Sequence, residues 1–289
     1  MGGLSDNAAR TVGEAIKWAS RRLRPLTSSP RLEAELLLAH LLQRARPYLL
    51  AHPEASLTPE QAATYAAHVA RRAGGEPLPY ITGRAEFYGL DFTVTPAVLI
   101  PRPETELLVE KALRWLQDHP PATAADVGTG SGCIAVTLAM QSPALRLIAT
   151  DCSPAALTVA RANAERYGVA GRITFLEGDL LAPLPAPVDL IVSNPPYVAD
   201  DEWDALPPSV RREPRAALLA GPQGLDALRR LLGQAPALLC PGGLLLVEIG
   251  EKQGKAARAL AQAAFPHADI RTLTDLAGKE RVLRVQRVD

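Results

Sequence analysis

From about residue 120 the chain repeats one unit: a short apolar run of strand length, then a stretch with helical spacing. ATAADV is followed by a glycine-rich turn and CIAVTLAMQ, and RLIATD by PAALTVARANAERYG. ITFLEGD and VDLIVSN are two more such runs. LLLVEIG follows a helical stretch around LDALRRLLGQAPALL, and IRTLTD and ERVLRVQRV come after KAARALAQAAF. Repeated βα units leave few folds open, because parallel strands need crossovers and the helices that make them cover both sheet faces. The expected fold class is α/β, with a Rossmann-like, doubly wound, mostly parallel sheet. Ligands of such sheets bind outside the carboxyl ends of the strands. The residues just after each run are therefore the ones to read for chemistry.

The first quarter reads differently. Val12, Ala15, Ile16, Ala19 and Leu23 fall on one helical stripe. Ser29-Pro30 opens a second helix, RLEAELLLAHLLQ, with Ser29 as N-cap and proline in the first turn. Thr58-Pro59-Glu60-Gln61 is a capping box before a third helix, which Gly74-Gly75 ends. Aromatic and β-branched residues around Gly83 and Gly89 then suggest a hairpin. LIPRPETELLVEKALRWL follows as a proline-bounded turn and an amphipathic helix from near Glu104. Three regions result: a helical domain over 1–79, a β-hairpin linker over 80–95 and the βα region over 96–289.

Charge is balanced, with 31 basic and 31 acidic residues. Neither end of the chain has the basic excess of a duplex-DNA binder. No run approaches the roughly 18 apolar residues of a membrane span, and the N-terminus lacks the apolar core of a secretory signal. Cys133, Cys152 and Cys240 are odd in number and widely spaced, which fits neither a disulfide framework nor a CxxC metal site. A reducing, cytoplasmic setting is expected, and no metal site.

Asp126-Val127-Gly128-Thr129-Gly130-Ser131-Gly132 follows the first strand of the βα region and opens a helix. Glycines there let the backbone turn tightly and approach a ligand. NAD, FAD and S-adenosylmethionine sites all use such a loop. A dinucleotide fingerprint would need glycine at 133, where this chain has Cys133, so that reading is weakened. Asp151 ends the second strand, where a carboxylate can accept from two ribose hydroxyls or cap the helix that starts at Pro154. Asp179 ends the third strand, beside Leu180. It can accept an adenine amino group while the apolar neighbour packs on the ring, or it can be a turn aspartate.

Asn194-Pro195-Pro196-Tyr197 closes the fourth strand and is the most specific signal in the chain. The nitrogen of an amide or aromatic amine is a poor nucleophile, because its lone pair is delocalised. The Asn194 side-chain oxygen and the Pro195 carbonyl are two acceptors that can hold its two N–H protons and aim it at a sulfonium methyl. Pro195 and Pro196 lack N–H donors and stiffen the loop. Tyr197 offers a flat face to a planar group. Asn194, Pro195 and Tyr197 are thus the candidate catalytic residues, and Asn194 to Tyr197 the candidate substrate-binding set.

With these residues in place the chain resembles the HemK/PrmC family, the peptide chain release factor glutamine methyltransferases. The resemblance is carried by LPYITGRAEFYGLDFTVTPAVLIPRPETE, DVGTGSG, Asp151, VSNPPYV and DLAGKERVL. NPPY alone says amino-methyltransferase; IPRPETE narrows it to this family. The resemblance implies an S-adenosylmethionine-dependent methyltransferase sheet, with a helical substrate-recognition domain before it. It implies methylation of the side-chain nitrogen (N5) of the Gly-Gly-Gln glutamine in class-one release factors, with S-adenosylmethionine as donor and no stable nucleic-acid partner. Asp126, Val127, Gly128, Thr129, Gly130, Asp151 and Asn194 would line the cofactor, with Asp179 or Leu180 at the adenine. Phe87 and the Arg102-Pro103 turn would close over the site. The competing readings are an adenine-N6 nucleic-acid methyltransferase, an NAD-dependent oxidoreductase and a non-catalytic binding protein.

Overall fold

Strand residues that alternate between two apolar faces need a layer of helices on each side, and the catalytic unit is built that way. The computed structural model describes residues 11–119 and 122–288. Within them the chain forms two compact units, one running to Gly83 with Pro207–Arg212 added, the other made of Arg84–Leu206 and the residues from Glu213 on. The first ten residues, Pro120, Pro121 and Asp289 lie outside the described residues, so the ends of the expected 1–79 and 96–289 regions are not covered.

The helical unit contains α1 (Val12–Leu23), α2 (Pro30–Leu42), α3 (Arg46–Ala51), α4 (Pro59–Ala73) and α5 (Leu78–Thr82). The apolar stripe of α1 is buried against Ala34, Leu37 and Leu38 of α2 and Tyr65 and Val69 of α4. The Thr58/Gln61 capping box forms as expected, and a second one, Thr11/Glu14, starts α1. Ser29 is the N-cap residue of α2, but its side chain makes no capping bond. The buried Tyr65 hydroxyl donates to the Ala34 carbonyl over 2.9 Å.

The sheet of the catalytic unit uses β3 (Thr123–Val127), β4 (Arg146–Asp151), β5 (Ile173–Glu177), β6 (Val188–Ser193), β7 (Leu239–Glu248), β8 (Asp269–Thr274) and β9 (Glu280–Gln286), after a hairpin of β1 (Arg84–Phe87) and β2 (Leu90–Thr93). Its helices are α6 (Glu106–Asp118), α7 (Cys133–Gln141), α8 (Pro154–Arg166), α9 (Asp226–Leu238) and α10 (Gly254–Ala264). The strand order is β5-β4-β3-β6-β7-β9-β8, parallel from β5 to β7, with β9 antiparallel to both neighbours. Leu190, Val192, Leu244 and Leu246 face the core under α6, α7 and α8, while Ile191, Leu245 and Val247 face α9 and α10. Strands covered on both sides read as continuous apolar runs for this reason. Among the described residues no helix is long and apolar enough to cross a membrane.

The hairpin differs from the expectation in extent and in role. Residues 78–82 are helix and belong with the helical unit, and the strands occupy 84–93. Tyr88 and Gly89 both take positive φ, the conformation a tight two-residue hairpin turn requires. The hairpin is docked into the catalytic unit and is no free linker. Phe87 and Phe92 are fully buried in its core, Tyr167 just after α8 bonds the Asp91 backbone, and Asn163 bonds both backbone groups of Thr93. The position proposed for Phe87 over the site is thereby corrected, because two large rings docked side by side lower the free energy most when packed away from water.

Candidate active site

Chain order reverses at β3: β4 and β5 extend the sheet to one side, and β6 begins the other. The crevice at such a switch point is where ligands of open α/β sheets bind. Register brings the carboxyl ends level, pairing Val127 with Thr150 and with Ser193, Asp151 with Glu177, and Ser193 with Val247. The Ser193 hydroxyl donates to the Val127 carbonyl over 2.8 Å and ties the two strands together at the crevice.

Gly128, Gly130 and Gly132 all have positive φ, a conformation that disfavours other residues. A Cβ on Gly128 or Gly130 would project into open space, whereas one on Gly132 would sit 3.1 Å from Ala160 of α8. The first two glycines thus keep a cradle open, and the third lets two helices approach. The amides of Gly128 and Thr129 both donate to the Thr150 carbonyl over 2.9 Å. Asp151 accepts from the Gly130 amide and, through its other oxygen, from the Ser153 amide, each at 2.9 Å. Ser153, not Asp151, caps α8. Each Asp151 oxygen keeps a lone pair, so its bonds to the loop leave room for ribose hydroxyls.

Asp126 and Val127 do not face out of the cradle; both are fully buried. Asp126 accepts from the Thr129 hydroxyl at 2.7 Å and from the Ala135 amide at 3.1 Å, so it braces the loop from beneath. Its other oxygen has no partner among the described residues. Burial pushes the Asp126 carboxyl up to about 7, against the two hydrogen bonds and with a smaller push from Asp151. Asp179 is exposed and paired with Arg230. Leu180 holds a left-handed backbone that few non-glycine residues adopt, and its carbonyl accepts from Thr150 at 2.8 Å.

Asn194 follows β6 and is half-buried, and Pro195 is buried. The Asn194 amide nitrogen donates to the Thr105 hydroxyl over 3.0 Å, and Thr105 donates to Glu248 over 2.7 Å. Glu248 lies at the end of β7, and its second oxygen accepts from the Tyr197 hydroxyl at 3.4 Å. Burial pushes the Glu248 carboxyl up to about 7; Glu104 adds to the rise, while Thr105, Arg281 and Tyr197 oppose it. Burial likewise raises the Tyr197 phenol. The loop is held from behind by Gln253, whose amide donates to the carbonyls of Tyr197 and Gly224, each at 2.9 Å. Arg102 pairs with the buried Glu213, which also accepts from the Ile100 amide at 3.0 Å. The Arg102 turn is thus anchored to the segment that follows the Asn-Pro-Pro-Tyr loop.

The profile of the PrmC N-terminal domain matches residues 14–83, and that of the methyltransferase small domain matches residues 104–206. A release factor glutamine methyltransferase of Moorella thermoacetica is 50% identical over 273 residues, covering 94% of this chain and 96% of that protein. The chain belongs to the release factor glutamine methyltransferase family. A namesake from Bordetella pertussis is 47% identical over 255 residues, covering 88% of this chain and 93% of that protein. A methyltransferase from Pyrococcus furiosus shares the fold, with a TM-score of 0.53 at 17% identity, covering 78% of this chain and 100% of that one.

Seen as a member of that family, the molecule explains residues that motif reading passed over. IPRPETE served only as a family signature, yet its Thr105 touches Asn194. Glu248 carried a usable signal, an acidic residue ending an apolar strand in LLLVEIG, which reading each strand end for chemistry would have found. Asn163, Glu213 and Gln253 carried none, since each acts through backbone groups 29 to 113 residues away.

Proposed function

We infer that the chain methylates the side-chain nitrogen (N5) of the glutamine in the Gly-Gly-Gln motif of class-one peptide chain release factors. The observation that carries this reading is Asn194 at the switch point, its amide nitrogen tied to Thr105 so that its oxygen is left to a substrate, within a family of release factor glutamine methyltransferases. When bound, S-adenosylmethionine would supply an electrophilic methyl group, its S–CH3 bond breaking as the N–C bond forms and the neutral thioether leaving. The open cradle at Gly128 and Gly130 and the spare lone pairs of Asp151 suit its amino-acid and ribose parts, and the turn at Asp179 and Leu180 suits its adenine. Asn194 and Pro195 hold the two protons of the substrate amide, so the nitrogen is aimed and the positive charge that builds on it is stabilised. Tyr197 and Pro196 flank the planar group, and one amide proton leaves to water once the N–C bond has formed. The loop recognises only an amide, so choice of protein falls to surface outside it. We assign that task to the helical unit. A release factor substrate goes with a cytoplasmic location and with no stable nucleic-acid partner. The adenine-N6 reading is not favoured, because the relatives at this identity are named for glutamine.

Mass spectrometry of a release factor incubated with the protein and S-adenosylmethionine should show one added methyl on the Gly-Gly-Gln glutamine. Asn194→Ala should bind the cofactor and lose roughly 10²–10³ in turnover, the usual cost of one positioned donor or acceptor. An unmodified glutamine with the intact enzyme, or full turnover in the variant, overturns the reading.

A further inference from the structure

We propose that Thr105 and Glu248 are positioning residues that decide which way round the Asn194 amide is held, so that its oxygen and not its nitrogen meets the substrate. The inference rests on the role given to Asn194 above. An asparagine amide turned by a half-circle keeps its shape but exchanges an acceptor for two donors. The wrong orientation would set N–H groups against the N–H groups of the substrate, so something beyond the shape of the site must select the right one.

Thr105 alone cannot select, because a hydroxyl can donate to the amide oxygen or accept from the amide nitrogen. Glu248 breaks the tie. An ionised carboxylate only accepts, so the single Thr105 proton must point at Glu248, 2.7 Å away. The Thr105 oxygen then has only lone pairs to offer Asn194, whose nitrogen approaches to 3.0 Å. Thr105 and Glu248 are each 2% exposed, which leaves little water to compete for these bonds. Tyr197, the other hydroxyl on Glu248, can also donate to it. Among the described residues no cation forms an ion pair with this carboxylate: Arg281 acts on it only from a distance, its guanidinium pairing with Asp275 and Glu251. A buried acid without a cation is costly to stability, and orienting Asn194 gives it a reason to be there. The charged or titratable groups around it are Glu104 on the turn before α6, Tyr197 on the Asn-Pro-Pro-Tyr loop, Arg281 on β9 and Cys133 at the start of α7.

The test compares Thr105→Val, Thr105→Ser, Glu248→Gln and the Thr105→Val/Glu248→Gln double variant on intact release factor, with cofactor affinity measured by calorimetry. Thr105→Val should lower kcat about tenfold, the value of one hydrogen bond, with cofactor affinity and the KM for release factor little changed. Thr105→Ser keeps the hydroxyl and should restore most of the rate. Glu248→Gln, which can donate as well as accept, should lower kcat severalfold, and the double variant should be no slower than Thr105→Val alone. Because a protonated Glu248 no longer breaks the tie, wild-type kcat at saturating cofactor should rise with pH through about 7, and this rise should vanish in Thr105→Val. A Thr105→Val kcat within twofold of wild type, no rescue by serine, or multiplicative losses in the double variant each overturn the proposal. If Asn194→Ala retains full turnover, the site reading has failed; if it loses turnover while Thr105→Val does not, only the relay has failed. Should the valine variant not fold, the serine and glutamine variants still decide through the pH profile.

Discussion

The two units each cover a glutamate almost completely, Glu35 at 3% exposure just beneath the surface of the helical unit and Glu248 at 2% deep in the catalytic unit, and treat it in opposite ways. Glu35 sits between two guanidiniums, Arg31 at 2.9 Å and Arg46 at 2.7 Å. Burial pushes its carboxyl up, but the hydrogen bonds and charges of Arg46 and Arg31 outweigh that and hold it below the usual carboxylate range. Among the described residues Glu248 has two hydroxyl donors and no paired cation, so burial and Glu104 outweigh them and the more distant Arg281, and its pKa rises. Asp126, fully buried under the glycine loop, behaves as Glu248 does. The difference separates a carboxylate kept for stability from two kept for a site. A paired ion holds helices together; an uncompensated one is tolerated where its proton affinity or hydrogen-bond polarity serves the chemistry.

Opposite shifts give opposite pH dependence. Glu35 has a lowered folded pKa, so its contribution is present above its unfolded value near 4.5 and is lost as pH falls through the folded value. Glu248 has a raised one, so its contribution is full below 4.5 and is lost as pH rises through about 7.

The largest effect that would break this comparison is expected from Arg31→Ala/Arg46→Ala. Stripping both cations from a buried carboxylate should cost about 3–5 kcal/mol at pH 7, read from denaturant unfolding of the helical unit. The gap should narrow as pH is lowered from 7 through the depressed folded value of Glu35 into acid, where its carboxyl is protonated in either protein. An equal loss at both pH values would mean that the arginines act through packing alone. Next in size, Glu248→Gln should stabilise the catalytic unit above pH 7 by roughly 3 kcal/mol, the worth of a rise from 4.5 to about 7, with no gain at pH 4. A variant less stable than wild type at pH 8 would show that the carboxylate is better compensated than its contacts suggest. The smallest effect sharpens the contrast with a carboxylate satisfied by backbone amides. Asp151→Ala should weaken S-adenosylmethionine binding about 10–100-fold, with a much smaller change in kcat at saturation. Unchanged affinity by calorimetry would leave Asp151 as an anchor for Gly130 and Ser153 only.

Much of the catalytic unit was legible because its signals are local. CIAVTLAMQ and RLIATD become α7 and β4 residue for residue, since their apolar runs lie within the segments themselves and Gly132 stands immediately before α7. The Asn194 motif could be placed at a strand end on the same grounds. α3 was missed because six residues are too few to show a period, and the hairpin bounds were misjudged because LPYIT reads equally well as strand or as a turn of helix.

The sequence by itself determined the βα alternation, the helix start at Ser29-Pro30, the capping box at Thr58, and the chemical character of the loops after each strand. Only the tertiary structure decided the strand order, the docking of the hairpin through Asn163, the burial of Asp126 and the partners of Asn194. The reason is range. Periodicity and capping act across a few residues, whereas Thr105 and Glu248 are 143 residues apart, and their 2.7 Å hydrogen bond exists because the start of α6 packs against β7, which the sheet register lays beside β6. Whether a carboxylate is paired, orphaned or tied to a hydroxyl depends on what that register brings against it, and no pattern along the chain encodes the neighbour.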